Sequence, residues 1–293
     1  MNKAVQESLA PKKSVIDVLK KNLEGWKPAR DHSVVHASDI TKEDFCPRRL
    51  ALLHSTGKKL KDEYISAALQ ATFDVGNATG DMVAEVWGGN EAIGNWECIR
   101  CAQRGTFCSK PQTWCSATGH KKHCNYRYEE VNFVSSTYDV SGGIDVFFDL
   151  GGSKKVVTEL KILNVEDFAK LAAPMAEHRI RTRMYLKLID DSSHPFKSSI
   201  NLNAAKILYV SRGFGKKDPK TSAILPFKEF DIERDDESVQ PYLDKAMQVK
   251  VFKEDGVMPA PICSGPGDKP AKKCSVCTEC WHLADKQGLI YSE

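Results

Sequence analysis

Asp145, Glu159 and Lys161 are the residues whose types and spacing best support chemistry. Asp145 stands in Gly142-Gly143-Ile144-Asp145, and Glu159 and Lys161 flank Leu160 in Thr158-Glu159-Leu160-Lys161. Both segments read as strands, where residues two apart point to one face. Glu159 and Lys161 therefore project together, and Leu160 points the other way. Gly151-Gly152-Ser153 marks a turn, and pairing across it would bring Asp145 near Glu159. Two hard carboxylates suit Mg²⁺ or Mn²⁺. Such an ion would polarise a phosphate and lower the pKa of a bound water. A lysine beside that water would orient or deprotonate it and offset developing phosphate charge. The chemistry this set suits is phosphodiester hydrolysis.

The pattern acid-x-Lys recurs at Asp218-Pro219-Lys220, in a Gly/Lys loop where no strand could align the side chains. Around Glu159, by contrast, Val156, Val157 and Ile162 imply a strand that is largely buried. His178, Arg181 and Tyr185, spaced three and four apart, share one helix face. That face is either an ordinary polar one or a row of phosphate and DNA contacts beside the metal.

The ten cysteines point to metal rather than to disulfides in a reducing compartment. They fall into two groups, which implies two separate centres. Cys98-Ile99-Arg100-Cys101, followed by Cys115 and Cys124, reads as a Zn²⁺ site, with Cys108, His120 and His123 as substitute ligands. With so small a core, the segment would need the metal to fold. Its Arg100, Lys121, Lys122, Tyr126 and Arg127 could grip single-stranded DNA or be solvated surface. The second group is Cys46 with Cys263, Cys274, Cys277 and Cys280.

The elements that must position these residues follow from periodicity. Helices are expected over 14–23 with Ser14 as cap, from Ser38 through the segment Phe45-Cys46-Pro47-Arg48-Arg49-Leu50, and over 65–87. Gly76 and Gly80, inside the last, suggest close approach of another backbone. Residues 94–128 show neither helical nor strand period. Strands are expected over 130–140, 143–150, 155–163 and 205–211, and helices over 165–189, kinked at Pro174, and 237–253. This order gives an α/β fold with a mixed sheet flanked by helices.

The chain has 293 residues, 41% of them hydrophobic and 28% charged, enough for a real core and against wholesale disorder. A net charge of +3 means that any basic surface is local. No apolar run approaches the roughly 20 residues that span a bilayer. Residues 1–13 lack the apolar core of a signal peptide. The expectation is a soluble, cytoplasmic protein, of a cell or of an infected host, with no membrane partner.

On these residues the chain resembles the PD-(D/E)XK nuclease superfamily. Within it, the chain is similar to the RecB-like exonucleases, including the CRISPR-associated iron–sulfur exonucleases and their phage relatives. The resemblance spans about residues 36–282. It rests on Phe45-Cys46-Pro47-Arg48-Arg49, Gly142-Gly143-Ile144-Asp145, Glu159-Leu160-Lys161, the helix bearing His178, Arg181 and Tyr185, and the terminal cysteines. It implies a restriction-endonuclease-like fold and a Mg²⁺- or Mn²⁺-dependent DNA exonuclease. Asp145, Glu159 and the Leu160 carbonyl would be the metal ligands, and Lys161 the catalytic lysine. It also implies a [4Fe-4S] cluster on Cys46, Cys274 and Cys280, with Cys263 or alternatively Cys277 as the fourth ligand. Arg48, Arg49, Lys272 and Lys273 would surround that cluster and meet DNA phosphates.

The chain departs from the family pattern in two places. Gly80 stands where the motif Gly-x-x-x-His, begun at Gly76, has histidine, and Arg181 stands where glutamine is usual. Asp81 and Glu85 are the acids on the same helix that could stand in. The expected organisation is an N-terminal helical extension (1–35), helices carrying the first cluster cysteine (36–93), a zinc-binding insertion (94–128), a nuclease core (129–235) and a helix with the iron–sulfur tail (236–293). Substrates would be single-stranded DNA or duplex ends, in recombination, repair or replication, with recombination or replication proteins as partners. A structure-specific endonuclease, or a DNA-binding module with a decayed site, are the rival readings.

Overall fold

A strand of nine residues, Lys155–Leu163, anchors the larger sheet, and its neighbours explain how the chain is laid out. The structure is a computed structural model that describes residues 14–27, 34–57, 63–112, 125–213 and 226–286. The first elements are α1 (Val15–Leu23), β1 (Gly25–Lys27), β2 (Val35–His36), α2 (Ala37–Ile40), α3 (Pro47–Thr56), β3 (Glu63–Ile65) and α4 (Ala67–Met82). Six short strands come next: β4 (Ala92–Cys98), β5 (Arg104–Ser109), β6 (Tyr126–Glu129), β7 (Val131–Ser135), β8 (Val140–Ile144) and β9 (Val146–Phe148). Then come β10 (Lys155–Leu163), α5 (Val165–Lys170), α6 (Ala176–Asp191), β11 (Ile200–Ser211), β12 (Phe227–Glu233), α7 (Asp236–Asp255), α8 (Lys269–Lys272) and α9 (Cys277–Lys286). Among the described residues no helix is long and apolar enough to cross a membrane.

The chain divides into two compact units. One comprises Met1–Arg30 with Lys59–Ala78 and the other Asp31–Lys58 with Thr79–Glu293. In the smaller unit Ser14 caps α1: its hydroxyl accepts from the Asp17 N–H, and the Asp17 carboxylate accepts from the Ser14 N–H. There β1 pairs antiparallel with β3, which sets Trp26 edge-on to Tyr64.

The larger unit is a mixed α/β fold. Its seven-stranded sheet runs β12-β11-β10-β9-β4-β5, and β6 pairs with β4 off this path. Only β10 and β11 run parallel in it. A parallel pair needs a crossover, supplied by α5 and α6. A second sheet, β2-β8-β7, has three strands. The chain leaves this sheet at Ile144 and joins the larger one at Val146, so Asp145 stands at the junction. On α6, Met184, Leu186, Leu188 and Ile189 are buried; on α7, so are Val239, Leu243, Ala246 and Val249. Each such side chain contributes at most about 1.5–3 kcal/mol.

Several elements differ from the sequence expectation, each for a physical reason. The strand expected over 130–140 is the hairpin β7–β8, whose turn places Asp139 at φ 53°. Asp tolerates this left-handed conformation, and Lys253 pairs with its carboxylate at 2.6 Å. The strand expected over 143–150 breaks at Asp145 because the chain changes sheets there. The helix expected over 165–189 is two, α5 and α6, separated around Pro174, which offers no N–H and forces its predecessor to be extended. Pro47 likewise starts α3 afresh after α2, at a first-turn position where its missing N–H costs nothing.

Residues 94–128 are not free of strand structure. Their described part forms β4 to β6 of the main sheet, with fully buried Trp96 donating its indole N–H to the Cys108 carbonyl. After Met82, α4 widens into a π-helical turn, Val83–Trp87. The close backbone approach expected at Gly76 and Gly80 is absent: a Cβ on either would meet no described atom within 4 Å.

Arg234 bridges Asp190, at the end of α6, and Asp236, at the start of α7, both at 2.7–2.8 Å. Its hydrogen bonds hold both carboxyls below the usual aspartate value. Such groups contribute stability above the unfolded pKa of about 4, and that contribution is lost as pH falls through the lower folded values. Arg234→Met should therefore destabilise the protein at pH 7, by no more than about 1 kcal/mol because the carboxylates are 36% and 38% exposed and screened. Denaturant unfolding across the acid range checks this. The gap between variant and parent should close as pH falls below about 4, and a gap that stays constant would refute the assignment.

Candidate functional site

Strand β10 sets Glu159 and Lys161 on one face. Leu160 points to the other, into a buried cluster with Trp96, Val83, Val146 and Val210. The β9–β10 ladder ends at Val146 and Thr158. Just beyond it, the Leu160 N–H donates to Asp145 Oδ2 at 2.6 Å, which turns this carboxylate toward β10. Three oxygens then surround the Lys161 ammonium: the Leu160 carbonyl at 2.9 Å, Glu159 Oε1 at 2.5 Å and Asp145 Oδ2 at 3.9 Å. From α6, the Arg181 guanidinium stands 3.8 Å from Glu159 Oε1 and 3.6 Å from Glu177.

Glu159 is 1% exposed, and its Oε2 has no hydrogen-bond partner among the described residues. A buried acceptor left free is costly unless something electropositive meets it. Asp145, Glu159 and the Leu160 carbonyl together are an all-oxygen donor set, which fits a hard divalent cation.

Burial, then the charge of Asp145, raises the Glu159 pKa, against the pull of Lys161 and Arg181. Burial alone would lower the Lys161 pKa, but Glu159 and Asp145 outweigh it, so the pKa is raised and the side chain stays an ammonium. Burial, then Lys161 and Arg181, lowers His178 to about 4, so it is neutral at pH 7. His178 is also buried. Its Nδ1 is hydrogen-bonded to the Tyr209 hydroxyl at 2.9 Å, and the Met175 N–H donates to the same hydroxyl at 3.0 Å. Together they fix the start of α6. Tyr185 is raised, chiefly by burial and then by Glu159 and Asp145, and remains a phenol. Its ring lies against Gly142, where a Cβ would come within 3.0 Å of it.

The sequence reading missed Glu130. The hairpin register pairs Val131 with Ile144 and Asn132 with Gly143, which sets residue 130 across from Asp145. The Glu130 carboxylate occupies the space Gly143 leaves open, where a Cβ would collide with it. Burial, then Asp145, raises its pKa; Lys161 lowers it and Asp81 raises it further. Asp81 thus acts on this neighbourhood from the end of α4. Glu85 does not: its Oε1 accepts the Tyr128 N–H at 2.6 Å and holds β6. The hairpin turn was the missing signal, because reading 130–140 as one strand hid the partner of Asp145.

In the second cysteine group, burial pushes the Cys263 thiol up to about 11, with Cys46, Asp268, Cys274 and Cys280 adding to the effect. Burial also raises Cys280, the charge and hydrogen bond of Arg48 pull it down, and Cys46 and Cys274 raise it. Among the described residues no group of three or more His, Cys, Asp or Glu side chains is set as it stands to hold an ion. Arg48 is 1% exposed and donates to the Pro259 and Cys280 carbonyls, so it is no surface contact for phosphates. Arg49 is half-buried, and Lys272 and Lys273 are exposed.

In the first group, Cys98 is buried, and Cys101 and Cys108 pack against the Trp96–Tyr128 cluster. Cys115, Cys124, His120 and His123, with Lys121 and Lys122, lie outside the described residues. No disulfide joins any two described cysteines.

No family model matches the chain, and no curated relative matches it. Among solved structures, the chain is similar to one titled "Crystal structure of SSO0001", at 13% identity and a TM-score of 0.39, over 94% of this chain and 96% of that one. It is also similar to "LHK-Exo in complex with dAMP", at 12% identity and a TM-score of 0.42, over 87% of this chain and 94% of that one.

Proposed function

We propose that the chain is a Mg²⁺- or Mn²⁺-dependent deoxyribonuclease of the PD-(D/E)XK type that acts as an exonuclease on single-stranded DNA or duplex ends. The observation that supports this most is the convergence of two carboxylates and the Leu160 carbonyl on the Lys161 ammonium, with an acceptor of Glu159 to spare. Asp145, Glu159 and the Leu160 carbonyl would hold the ion, which supplies a Lewis acid for the phosphate and lowers the pKa of water.

The chain's own residues do the rest. The Leu160 N–H keeps Asp145 aligned, so no reorganisation is needed during reaction. Lys161 holds a positive charge beside the attacking water and orients it. Arg181 offers a planar fork to the non-bridging phosphate oxygens. Tyr185 keeps its proton and can donate a hydrogen bond. Water attacks phosphorus and gives up a proton to solvent, the P–O ester bond breaks, and the leaving oxygen takes a proton from solvent. Cys46, Cys263, Cys274 and Cys280 would hold a [4Fe-4S] cluster, a structural clasp between distant parts of the chain. Cys98 and Cys101, with Cys115 and Cys124, would hold Zn²⁺.

Asp145→Asn keeps an acceptor for the Leu160 N–H but loses the charge. It should keep its circular dichroism and lose roughly 10²-fold or more in cleavage rate. End-labelled single- and double-stranded DNA, linear and circular, digested with Mg²⁺ or Mn²⁺, gives the readout. Undiminished cleavage by Asp145→Asn would sink the site, and cleavage of closed circles would replace exonuclease by endonuclease.

Lys161→Ala should do more than remove the catalytic ammonium. It leaves the buried Glu159 without its closest cation, a change that costs about 3–5 kcal/mol for a buried pair. The double variant Glu159→Gln with Lys161→Met should regain most of that stability and none of the activity. Urea unfolding measured beside cleavage separates the two effects, and a double variant no more stable than Lys161→Ala contradicts the pairing.

A further inference from the structure

Strand register places a row of side chains across the larger sheet at the level of Lys161. Lys161 pairs with Tyr209 on β11, and Tyr209 pairs with Lys228 on β12. Directly paired residues point to one face of a sheet, and Tyr209 and Lys228 both reach toward α5 and α6. The Lys228 ammonium donates to the Phe168 and Leu171 carbonyls at 2.6 and 2.8 Å, where α5 ends. Tyr209 takes the start of α6. Met175 stands at the N-cap of that helix, and a methionine offers no capping oxygen. In a capping box the third helical residue reaches back to the N–H of the N-cap residue. Here the third residue is His178, and the hydroxyl of fully buried Tyr209 comes between the two. It accepts the Met175 N–H at 3.0 Å and meets His178 Nδ1 at 2.9 Å. Giving its own proton to Nδ1 leaves no buried donor unmade. That hydrogen-bond pattern assigns the imidazole proton to Nε2. His178 Nε2 stands 3.6 Å from Glu177 Oε1, which stands 3.6 Å from Arg181 Nη2. Arg181, one turn beyond His178, reaches Glu159 Oε1 at 3.8 Å.

We propose that Tyr209 is a positioning residue for the hydrolysis: its hydroxyl fixes the first turn of α6 and the Nε2–H tautomer of His178, and so aims the Arg181 fork at the substrate phosphate. This rests on the nuclease reading above. Tyr209 touches neither substrate nor ion in this role and acts through Arg181. The arrangement ties the start of α6 to the residue of β11 that pairs with Lys161, so the lysine and the guanidinium keep one spacing. Such spacing matters because a misplacement of about 1 Å can cost on the order of 10²-fold in rate.

Tyr209→Phe keeps the buried ring and loses only the hydroxyl. It is combined with Arg181→Met in a double-mutant cycle on the full-length chain, with cleavage of end-labelled single-stranded DNA in Mg²⁺ or Mn²⁺ as the readout. In the parent, Tyr209→Phe should lower kcat/KM by roughly 10- to 100-fold. In the Arg181→Met background it should cost less than about threefold, because the group it positions is already gone. A role in folding alone costs the same factor in both backgrounds, and that result overturns the inference. So does a Tyr209→Phe variant that cleaves as fast as the parent, which leaves the nuclease reading standing. If Tyr209→Phe fails to fold, His178→Phe takes its place in the cycle under the same two criteria. A second readout needs no cleavage. In NMR of the chain with isotope-labelled histidine, the His178 imidazole, identified by its loss in His178→Phe, should show the Nε2–H tautomer in the wild type. The Nδ1–H tautomer there overturns the hydrogen-bond chain. A wild type that cleaves no DNA overturns the nuclease reading and this role with it.

Discussion

A carboxylate buried inside a strand must be balanced where it lies, and Glu159 imposes that requirement on everything around it. Lys161, two residues along the same face of β10, answers first, and Arg181 answers from α6. Arg181 can reach only because the crossover between β10 and β11 lays α6 against the sheet. The start of α6 is fixed in turn by Met175 and His178 on the Tyr209 hydroxyl. Among the described residues the balance is incomplete by one acceptor, Glu159 Oε2.

Gly142 and Gly143 decide how closely other elements approach Asp145. A side chain at 142 would meet the Tyr185 ring, and one at 143 the Glu130 carboxylate. Glycine in a strand costs about 0.5–1 kcal/mol of backbone entropy relative to alanine. Here the vacated space admits two polar side chains beside Asp145, one from α6 and one from the facing strand. The result is a cluster in which burial, then the charge of Asp145, raises the Glu130 pKa, with Asp81 adding to it from α4.

The carboxylate–lysine cluster was legible in the sequence because strand alternation is local. Glu159, Lys161 and the opposite-facing Leu160 follow from period two alone, and Asp145 from a glycine turn whose Gly151 indeed adopts φ 80°. The return of the tail to α3, where Arg48 donates to the Pro259 and Cys280 carbonyls, was illegible because those contacts span 211 and 232 residues. Glu130 was illegible, since its position depends on a tight turn at 136–139 stabilised by Lys250 and Lys253 from α7, far along the chain. The strands of 92–109 were hidden because cysteines, glycines and charges interrupt the apolar alternation that Trp96, Cys98, Tyr126 and Tyr128 carry.

The carboxylate–lysine cluster and the tail cysteines have different scaffolds. Strand β10 is paired with β9 and β11, and the Leu160 N–H holds Asp145, so the sheet itself places Asp145, Glu159 and Lys161. Cys263 and Cys274 sit on irregular chain, where Arg48 donates to the Pro259 and Cys280 carbonyls and Asp268 accepts from the Ser264 N–H and hydroxyl. The tail helix α9 packs on α3, α3 packs on α7, and α7 packs on α6, which carries Arg181. The tail therefore bears on the α6 side of Glu159 through packed helices rather than through a side chain of its own.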